Sequence, residues 1–582
     1  MSAGTPPEMT IALLSTSNLR FFVASLRQEL RQWKWDAEIW ASEFNQYRQD
    51  IWNGASELYA RQPKVVILQL DGADLFMDVL RDPLSGSIDC SVAAQRAADD
   101  LEANLAELQE RLPSATVILH TVYFAPLHAL TGLEHHGPHT LSTISSLFNV
   151  HIGQLSRKHP NVLVHDIAAL AAGIGYRNWF DPRLWYLARC RLSQEAMKAL
   201  AQSTVSLLRA WKGQARKCVV LDLDNTLWGG IVGEDEMEGI ALGEEGIGLA
   251  FAEFQDELLN LTRKGIMLAI CSKNNEEDAF AVLKRHPSMR LKEDHFAAYR
   301  INWRDKATNM RELALELNLG LDSFVFIDDN PAERTLVRSE LPEVLVPEWP
   351  QDPALYKTAL LDLAATHLLK LSITEEDRAR TSIYRAEGER RALLESSGGN
   401  LESYYRSLEM TARVAIANSF TIPRIAQLTQ KTNQFNLTSL RYSEADIRAL
   451  SEAPDVLVLC LALSDRFSDN GIVGVMILRH LSAGEWHIDT LLLSCRVIGR
   501  TVENAFVGFA SRILIDRSAE YLIGEYRPTR KNAVTANLYR DLGFQPMGER
   551  AGITRWKLSL RERSIAIPEW IKIESWKEAP NA

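Results

Sequence analysis

Up to about residue 210 the chain alternates short apolar runs, MTIALLST, KVVILQL and SATVILHTV, with longer amphipathic stretches such as SVAAQRAADDLEANLAELQERL. Short runs without polar interruption suit strands buried on both faces, and a 3.6-residue repeat suits helices. The alternation predicts an α/β unit with a parallel sheet over residues 1–212. A second alternation starts at Lys217, with CVVLDL, GIMLAIC, HFAAYRIN, FVFID and EVLVPEW as predicted strands. It predicts a doubly wound parallel sheet over 213–372. From Thr374, TEEDRARTSIYRAEGERRALLESSGG reads as a helix, with Thr374 as N-cap, acidic residues in the first turn, and Gly398 and Gly399 as its stop. This is a connector over 373–404. The remainder, 405–582, holds DVLVLCLAL, GIVGVMIL, EWHIDTLLLSC and YLIGEY. Two of these are consecutive, as in an antiparallel pair, and predict a mixed α+β domain.

Composition changes this picture little. With 582 residues the chain suits about three or four domains. No apolar run approaches the ~20 residues needed to span a bilayer, and the N-terminus MSAGTPPEMT lacks a basic-then-apolar leader, so a cytoplasmic location without membrane contact is expected. Six cysteines, Cys90, Cys190, Cys218, Cys271, Cys460 and Cys495, form no CxxC pair, which argues for reduced thiols over zinc or disulfides. A net charge of −11 disfavours a general nucleic-acid binder.

The run CVVLDLDNTLW ends in Asp222 and Asp224. Carboxyl ends of central parallel strands face the ligand crevice of such folds. Two like charges so close raise each other's proton affinity unless a cation lies between them, so the pair implies either a bound Mg²⁺ or an acid/base couple. GIMLAICSKNN delivers Ser272, WRDKATNM delivers Lys306, and FVFIDDNPAER delivers Asp328 and Asp329 to the same rim. This set suits phosphoryl transfer through an aspartyl-phosphate. Asp222 would attack phosphorus, and Asp224 would protonate the leaving oxygen and then activate water. Mg²⁺ on Asp222, Asp328 and the backbone carbonyl of Asp224 would neutralise the phosphoryl oxygens together with Lys306. The order of these elements resembles the haloacid-dehalogenase-superfamily phosphatases. Only 48 residues separate Asp224 from Ser272 and 34 separate Ser272 from Lys306, which leaves no room for a large cap. An open site is therefore expected, for a substrate borne by a macromolecule or covered by a neighbouring domain.

In the C-terminal part, LLLSCRVIGRTVENAFVGFA places a strand, then Arg496, Gly499 and Thr501 in a turn, then a helix whose backbone amides could hold a phosphate. KNAVTANLYRDLGF adds Asn532, Tyr539 and an LGF ending. Together they resemble the GNAT-type acyltransferases, in which this loop holds a pantetheine-linked cofactor. Cys495 stands at the strand end beside the helix N-terminus, where a thiol can become an acyl acceptor. Cys271 is its rival, although strand alternation turns Cys271 away from the face Ser272 presents.

The segments LDLDNTLWGGIVGED, ICSKNNE, FIDDNPAER, KTNQFNLT, SDNGIVG and SCRVIGR make residues 215–560 similar to the FkbH-like glyceryl transferases of polyketide biosynthesis. The resemblance implies that 1,3-bisphosphoglycerate is bound, its glyceryl group passes to an enzyme cysteine with loss of phosphate, and the acyl group reaches the phosphopantetheine of an acyl carrier protein, for tetronate or methoxymalonyl-type units. It assigns substrate or pantetheine contacts to Asn225, Thr226, Asn274, Arg496, Gly499, Asn532 and Tyr539. Ser468 and Thr501 stand where this family commonly has glycine. The alternative is a Mg-dependent phosphatase of another phosphoester, on a nucleic-acid end or a phosphoprotein, joined to an acetyl-CoA-dependent N-acetyltransferase.

The N-terminal unit resembles an SGNH hydrolase through LLSTS and NWFDPRLWYLA. A working member needs a serine turn and an Asp-x-x-His. Here Asp181 is followed three positions later by Leu184, so a noncatalytic scaffold or carrier docking role is expected. His135, His136 and His139 read as surface polar residues. Arg527, Arg530 and Lys531 read as a docking surface for an acidic carrier protein.

Overall fold

Strands form here where branched and aliphatic side chains run together, and their ends are set by the first polar or glycine residues. In the computed structural model the described residues are 9–81, 89–124, 141–371, 373, 386, 389, 390, 393, 394, 400–482, 484–550, 552–562 and 565–575. The connector's predicted cap Thr374 and stop Gly398–Gly399, and the three loop histidines, lie outside them. The chain separates into two compact units, residues 1–211 and 212–582. Among the described residues no helix is long and apolar enough to cross a membrane.

The first unit carries a five-stranded parallel sheet in the order β2-β1-β3-β4-β5. Its strands are β1 (Met9–Ser15), β2 (Ala37–Ala41), β3 (Val65–Gln69), β4 (Thr116–His120) and β5 (Val162–His165). All of β3 and β4 is buried, as apolar runs without alternation require. Helices Cys90–Arg111 and Leu141–Lys158 cover one face, while Arg20–Gln32 packs on Gln194–Trp211. Inside, His120 and His165 stack edge to face at 5.0 Å. Burial drives both toward the neutral form, His165 down to about 4 and His120 well below its ordinary value. A histidine kept neutral by the fold binds its proton more readily when unfolded. Its contribution is therefore complete above pH ~6.5 and lost as pH falls toward the folded value. Thermal unfolding followed by circular dichroism is expected to show this unit losing about 3 kcal/mol between pH 7 and pH 4 through His165 alone. An equal melting temperature at the two pH values would refute it.

The second unit holds two sheets. The first is parallel, in the order β8-β7-β6-β9, from β6 (Cys218–Leu221), β7 (Met267–Ser272), β8 (Phe296–Ile301) and β9 (Phe324–Ile327). Alternate residues face two cores: Val219, Leu221 and Ile270 meet Phe251 and Phe254, while Cys218, Val220 and Cys271 meet Met310, Leu313 and Phe326. EVLVPEW is not a strand; it makes a single bridge, Val325 to Leu345. Pro347 follows closely, and it lacks the N–H a ladder needs.

The other sheet runs β16-β17-β15-β14-β13-β12-β10-β18, from β10 (Met410–Ile416), β12 (Val456–Ser464), β13 (Asp469–Ser482), β14 (Glu485–Leu493), β15 (Tyr521–Tyr526), β16 (Gln545–Arg550), β17 (Ile553–Ser559) and β18 (Ile571–Ser575). The short β11 (Phe435–Asn436) pairs with β14. The pairs are antiparallel except β14 with β15 and β10 with β18. β14 and β15 stay together only from Glu485 to Ile488. Beyond that they diverge, and β11 takes the β14 edge at Leu492 and Leu493.

Gly524 in β15 has a packing reason. A Cβ there would lie 2.3 Å from Cζ of Tyr539, whose ring is buried. The ring has no free volume to move into, so Gly524→Ala is expected to cost about 2 kcal/mol, read as a lowered melting temperature of the second unit. An unchanged melt would show that the ring yields.

Candidate active site

The turn after β6 is shaped by its own residues. Asp222 N–H continues the β6–β9 pairing to the Ile327 carbonyl, and Thr226 and Leu227 N–H groups bond the Leu223 carbonyl. Asn225 adopts the left-handed region (φ 54°), and its side chain accepts from Gly230 N–H at 2.9 Å. Thr226 is fully buried, and its hydroxyl accepts from Asp329 N–H at 3.3 Å. Both residues hold the turn in shape.

Leu221 pairs with Ile327, so the residues after each, Asp222 and Asp328, emerge side by side. Lys306, at the start of the helix Lys306–Glu316 capped by Asp305, reaches both. Its Nζ lies 3.0 Å from Asp222 Oδ1 and 2.6 Å from Asp328 Oδ2. Burial opposes its charge, but attraction to the two carboxylates outweighs that and raises its proton affinity. Asp328 is pushed up to about 6 by burial and the Asp222 charge, with Lys306 opposing. Burial, then Asp222, also raises Asp329. Arg334 pins the pair by donating to the Asp328 and Asp329 carbonyls at 2.8 and 2.7 Å.

Carboxylate oxygens of Asp222, Asp328 and Asp329 lie within 4.8 Å of one another. Three buried or half-buried carboxylates against one ammonium leave negative charge in excess. Asp222 Oδ1 also lacks an aligned hydrogen-bond donor. The oxygen-only donor set and this unsatisfied oxygen fit a hard divalent cation such as Mg²⁺. The Asp224 carboxylate is held away from the cluster by Trp228 Nε1 and Asn274 Nδ2, each at 2.9 Å, and by Val232 N–H at 3.2 Å. Asp329 lies within it. The adjacent DD in the sequence was the signal for that residue. Asn274 thus holds Asp224. Burial raises Asp224, against the bonds from Val232 and Trp228, which suits a group that must carry a proton.

Ser272 closes β7 at 1% exposure, and its carbonyl accepts from Asn302 N–H. Cys271 faces the opposite core, its thiol against the Lys306 carbonyl at 3.8 Å. Burial pushes it up to about 12, so it stays protonated and inert. The interval 224–272 holds the short helix Val232–Gly239 and the helix Gly246–Arg263, and 272–306 holds Glu276–Arg285 and β8, with no cap domain. Trp303 stands at the rim, 71% exposed, its indole N–H on Asn275 Oδ1 at 3.2 Å.

In the C-terminal part Cys495 is half-buried in the tight turn Cys495–Val497 before the helix Val502–Asp516. Arg496 Nε donates to Ser494 Oγ at 3.1 Å. Buried Asp465 ties this turn to the connector: Arg390 lies 2.8 Å from one carboxylate oxygen and Arg500 3.1 Å from the other. Arg500 also donates to the Arg496 carbonyl at 2.6 Å, and Ser468 accepts from Arg390 at 2.5 Å. Gly499 takes φ 80°. Thr501 takes φ 60°, a region β-branched residues seldom enter, and its hydroxyl accepts from Trp570 at 2.9 Å. Asn532 and Tyr539, expected at the pantetheine, are buried scaffold. Asn532 Nδ2 donates to the Asn436 and Arg527 carbonyls, both at 2.9 Å, and Tyr539 packs under Gly524. Two of the three cations read as a carrier surface are paired within the chain, Arg527 with Glu525 and Lys531 with Asp322.

In the first unit, Arg191 lies 2.8 Å from both Asp71 and Asp74 at the strand ends. The Thr16 hydroxyl accepts from Asp71 N–H, and Ser15 Oγ from Ser17 N–H. Asp181 caps the short helix Pro182–Ala188 through Arg183 and Leu184 N–H groups.

The family described as NLI interacting factor-like phosphatase matches residues 217–377. A crystal structure of the N-terminal part of the protein BF1531 from Bacteroides fragilis, containing a phosphatase domain complexed with Mg, is 31% identical. The match covers 63% of this chain and 95% of that one, with a TM-score of 0.58. The ribosomal-protein-S18-alanine N-acetyltransferase from Escherichia coli matches 26% of this chain and 94% of its own at 14% identity and a TM-score of 0.21. No curated protein matches the chain.

Proposed function

We propose, from the premise that this chain belongs to the haloacid-dehalogenase-type phosphatases carrying an NLI interacting factor-like domain, that it moves a glyceryl group from 1,3-bisphosphoglycerate to the phosphopantetheine thiol of an acyl carrier protein and removes the phosphates. The observation that supports this most is the presence, within one compact unit, of an Asp222–Lys306–Asp328 site and a half-buried thiol at a strand-to-helix turn. An acyl phosphate needs only a thiol to react, whereas a phosphomonoester needs a phosphatase.

At the acyl carbon the Cys495 thiolate attacks, the bond to the phosphate oxygen breaks, and inorganic phosphate leaves with the electron pair. The carrier's thiolate then attacks the cysteinyl thioester and regenerates Cys495. At the phosphomonoester an Asp222 oxygen attacks phosphorus as the bond from phosphorus to the ester oxygen of the glyceryl group breaks. Asp224 gives its proton to the departing alkoxide and later takes one from the water that opens the aspartyl-phosphate. Lys306 holds Asp222 in line and balances charge on the phosphoryl oxygens. Asp222, Asp328 and Asp329 would hold magnesium, which would supply the charge neutralisation that lets an anion approach an anion. The first unit, where Arg191 pairs with Asp71 and Asp74, serves as a scaffold.

The test is incubation of the full chain with 1,3-bisphosphoglycerate, Mg²⁺ and holo carrier protein, followed by intact-mass measurement. A glyceryl mass on the carrier supports this reading. Acetylation of an amine from acetyl-CoA, with no glyceryl transfer, would replace it by a phosphatase joined to an N-acetyltransferase.

A further inference from the structure

One connection of the phosphatase domain touches both motif turns of the C-terminal domain. Asn318, two residues beyond the helix Lys306–Glu316, donates from Nδ2 to the Cys495 carbonyl at 2.5 Å. Four residues on, Asp322 Oδ2 lies 2.7 Å from Lys531 Nζ, next to Asn532. The connection is itself held: Arg216 donates to the Asp322 carbonyl, and Lys217 N–H to the Ser323 carbonyl at 2.8 Å.

Magnitudes separate the two contacts. The Asp322 and Lys531 side chains are 52% and 57% exposed, so their pairing contributes little. The Asn318 bond is half-buried and ends on the backbone of Cys495, so losing it shifts the residue that carries the thiol. Asn318 has φ 47°, a left-handed geometry that asparagine tolerates better than most side chains while still offering a donor. The aspartate site is remote from this bond. Lys306 opens the helix Lys306–Glu316, which is about 15 Å long at 1.5 Å per residue, and Asn318 lies beyond its other end.

We propose that Asn318 is a positioning residue for acyl transfer: the phosphatase domain completes the Cys495 turn of its neighbour, and does so independently of the aspartates. This rests on the reading of Cys495 as acyl acceptor. Acyl transfer then requires the body of the phosphatase domain even where its chemistry is switched off.

The test uses the full chain with Asn318→Gly, which keeps the left-handed backbone and deletes the donor, and Asn318→Asp, which keeps size and reverses the polarity. Three readouts are compared: iodoacetamide alkylation of Cys495 located by mass, kcat and KM for carrier acylation, and phosphate release from p-nitrophenyl phosphate. Both variants are expected to lower kcat for acylation roughly tenfold with KM for the carrier retained, to change the alkylation rate, and to leave phosphate release at the wild-type value. Wild-type acylation and alkylation in both variants would overturn the proposal, as would a parallel fall in phosphate release, which marks general loss of structure. Should the wild-type chain not acylate the carrier at all, the glyceryl-transfer reading fails. The alkylation comparison still decides the role of Asn318.

Discussion

Asp222→Asn is expected to lower phosphate release by about three orders of magnitude or more while leaving the fold intact. The amide has the same shape but cannot form the acyl-phosphate bond. Lys306 loses the charge of its partner at 3.0 Å and keeps the carboxylate of Asp328 at 2.6 Å, so the ammonium is not stranded. Removing one charge from a cluster of three carboxylates also relieves repulsion, which Asp328 and Asp329 already register as raised proton affinity. Melting temperature should therefore hold or rise in the absence of Mg²⁺. Phosphate release at the wild-type rate from a properly folded Asp222→Asn protein would remove this residue as nucleophile.

Cys495→Ala is expected to abolish the protein-bound acyl mass and carrier acylation, whereas Cys271→Ala leaves both within about twofold. The two thiols differ in environment. Cys271 is fully buried among Ala298, Met310 and Phe326, and burial holds its proton. No substrate reaches it without unfolding that face. Cys495 is half-buried on the turn Cys495–Val497, at the surface end of a strand and not inside a core. Intact-mass spectra after brief exposure to 1,3-bisphosphoglycerate give the answer directly. Acyl mass persisting in Cys495→Ala and vanishing in Cys271→Ala would reverse the assignment.

Much of the phosphatase site was legible from the chain alone. CVVL and FVFI are too short and too uniformly apolar to be anything but strands buried on both faces, and parallel pairing brings their ends together. Asp222 and Asp328 follow from that register. Lys306 follows from its place at the start of a helix that Asp305 caps. The thiol alternation that set Cys271 apart from Ser272 was equally a matter of period two. EVLVPEW was misread because an apolar run was weighed without the proline that follows it.

Other roles needed the third dimension. Asp224 and Asp329 are both carboxylates beside a strand end, and nothing local tells which joins the cluster. The choice is made by Trp228, Asn274 and Val232, which draw Asp224 aside, and by Thr226, which holds the Asp329 backbone. Asn532 and Tyr539 carry a motif in the sequence, yet burial against Asn436 and Gly524 makes them scaffold. The bond from Asn318 to Cys495 joins residues 177 positions apart. The sequence by itself determined the strands that end at Asp222, Ser272 and Asp328 and the carboxylates beside them, because periodicity and chain direction are local properties. Which polar side chains face one another was decided only in the tertiary structure, because a hydrogen bond depends on a few tenths of an ångström between segments whose separation along the chain carries no information about distance.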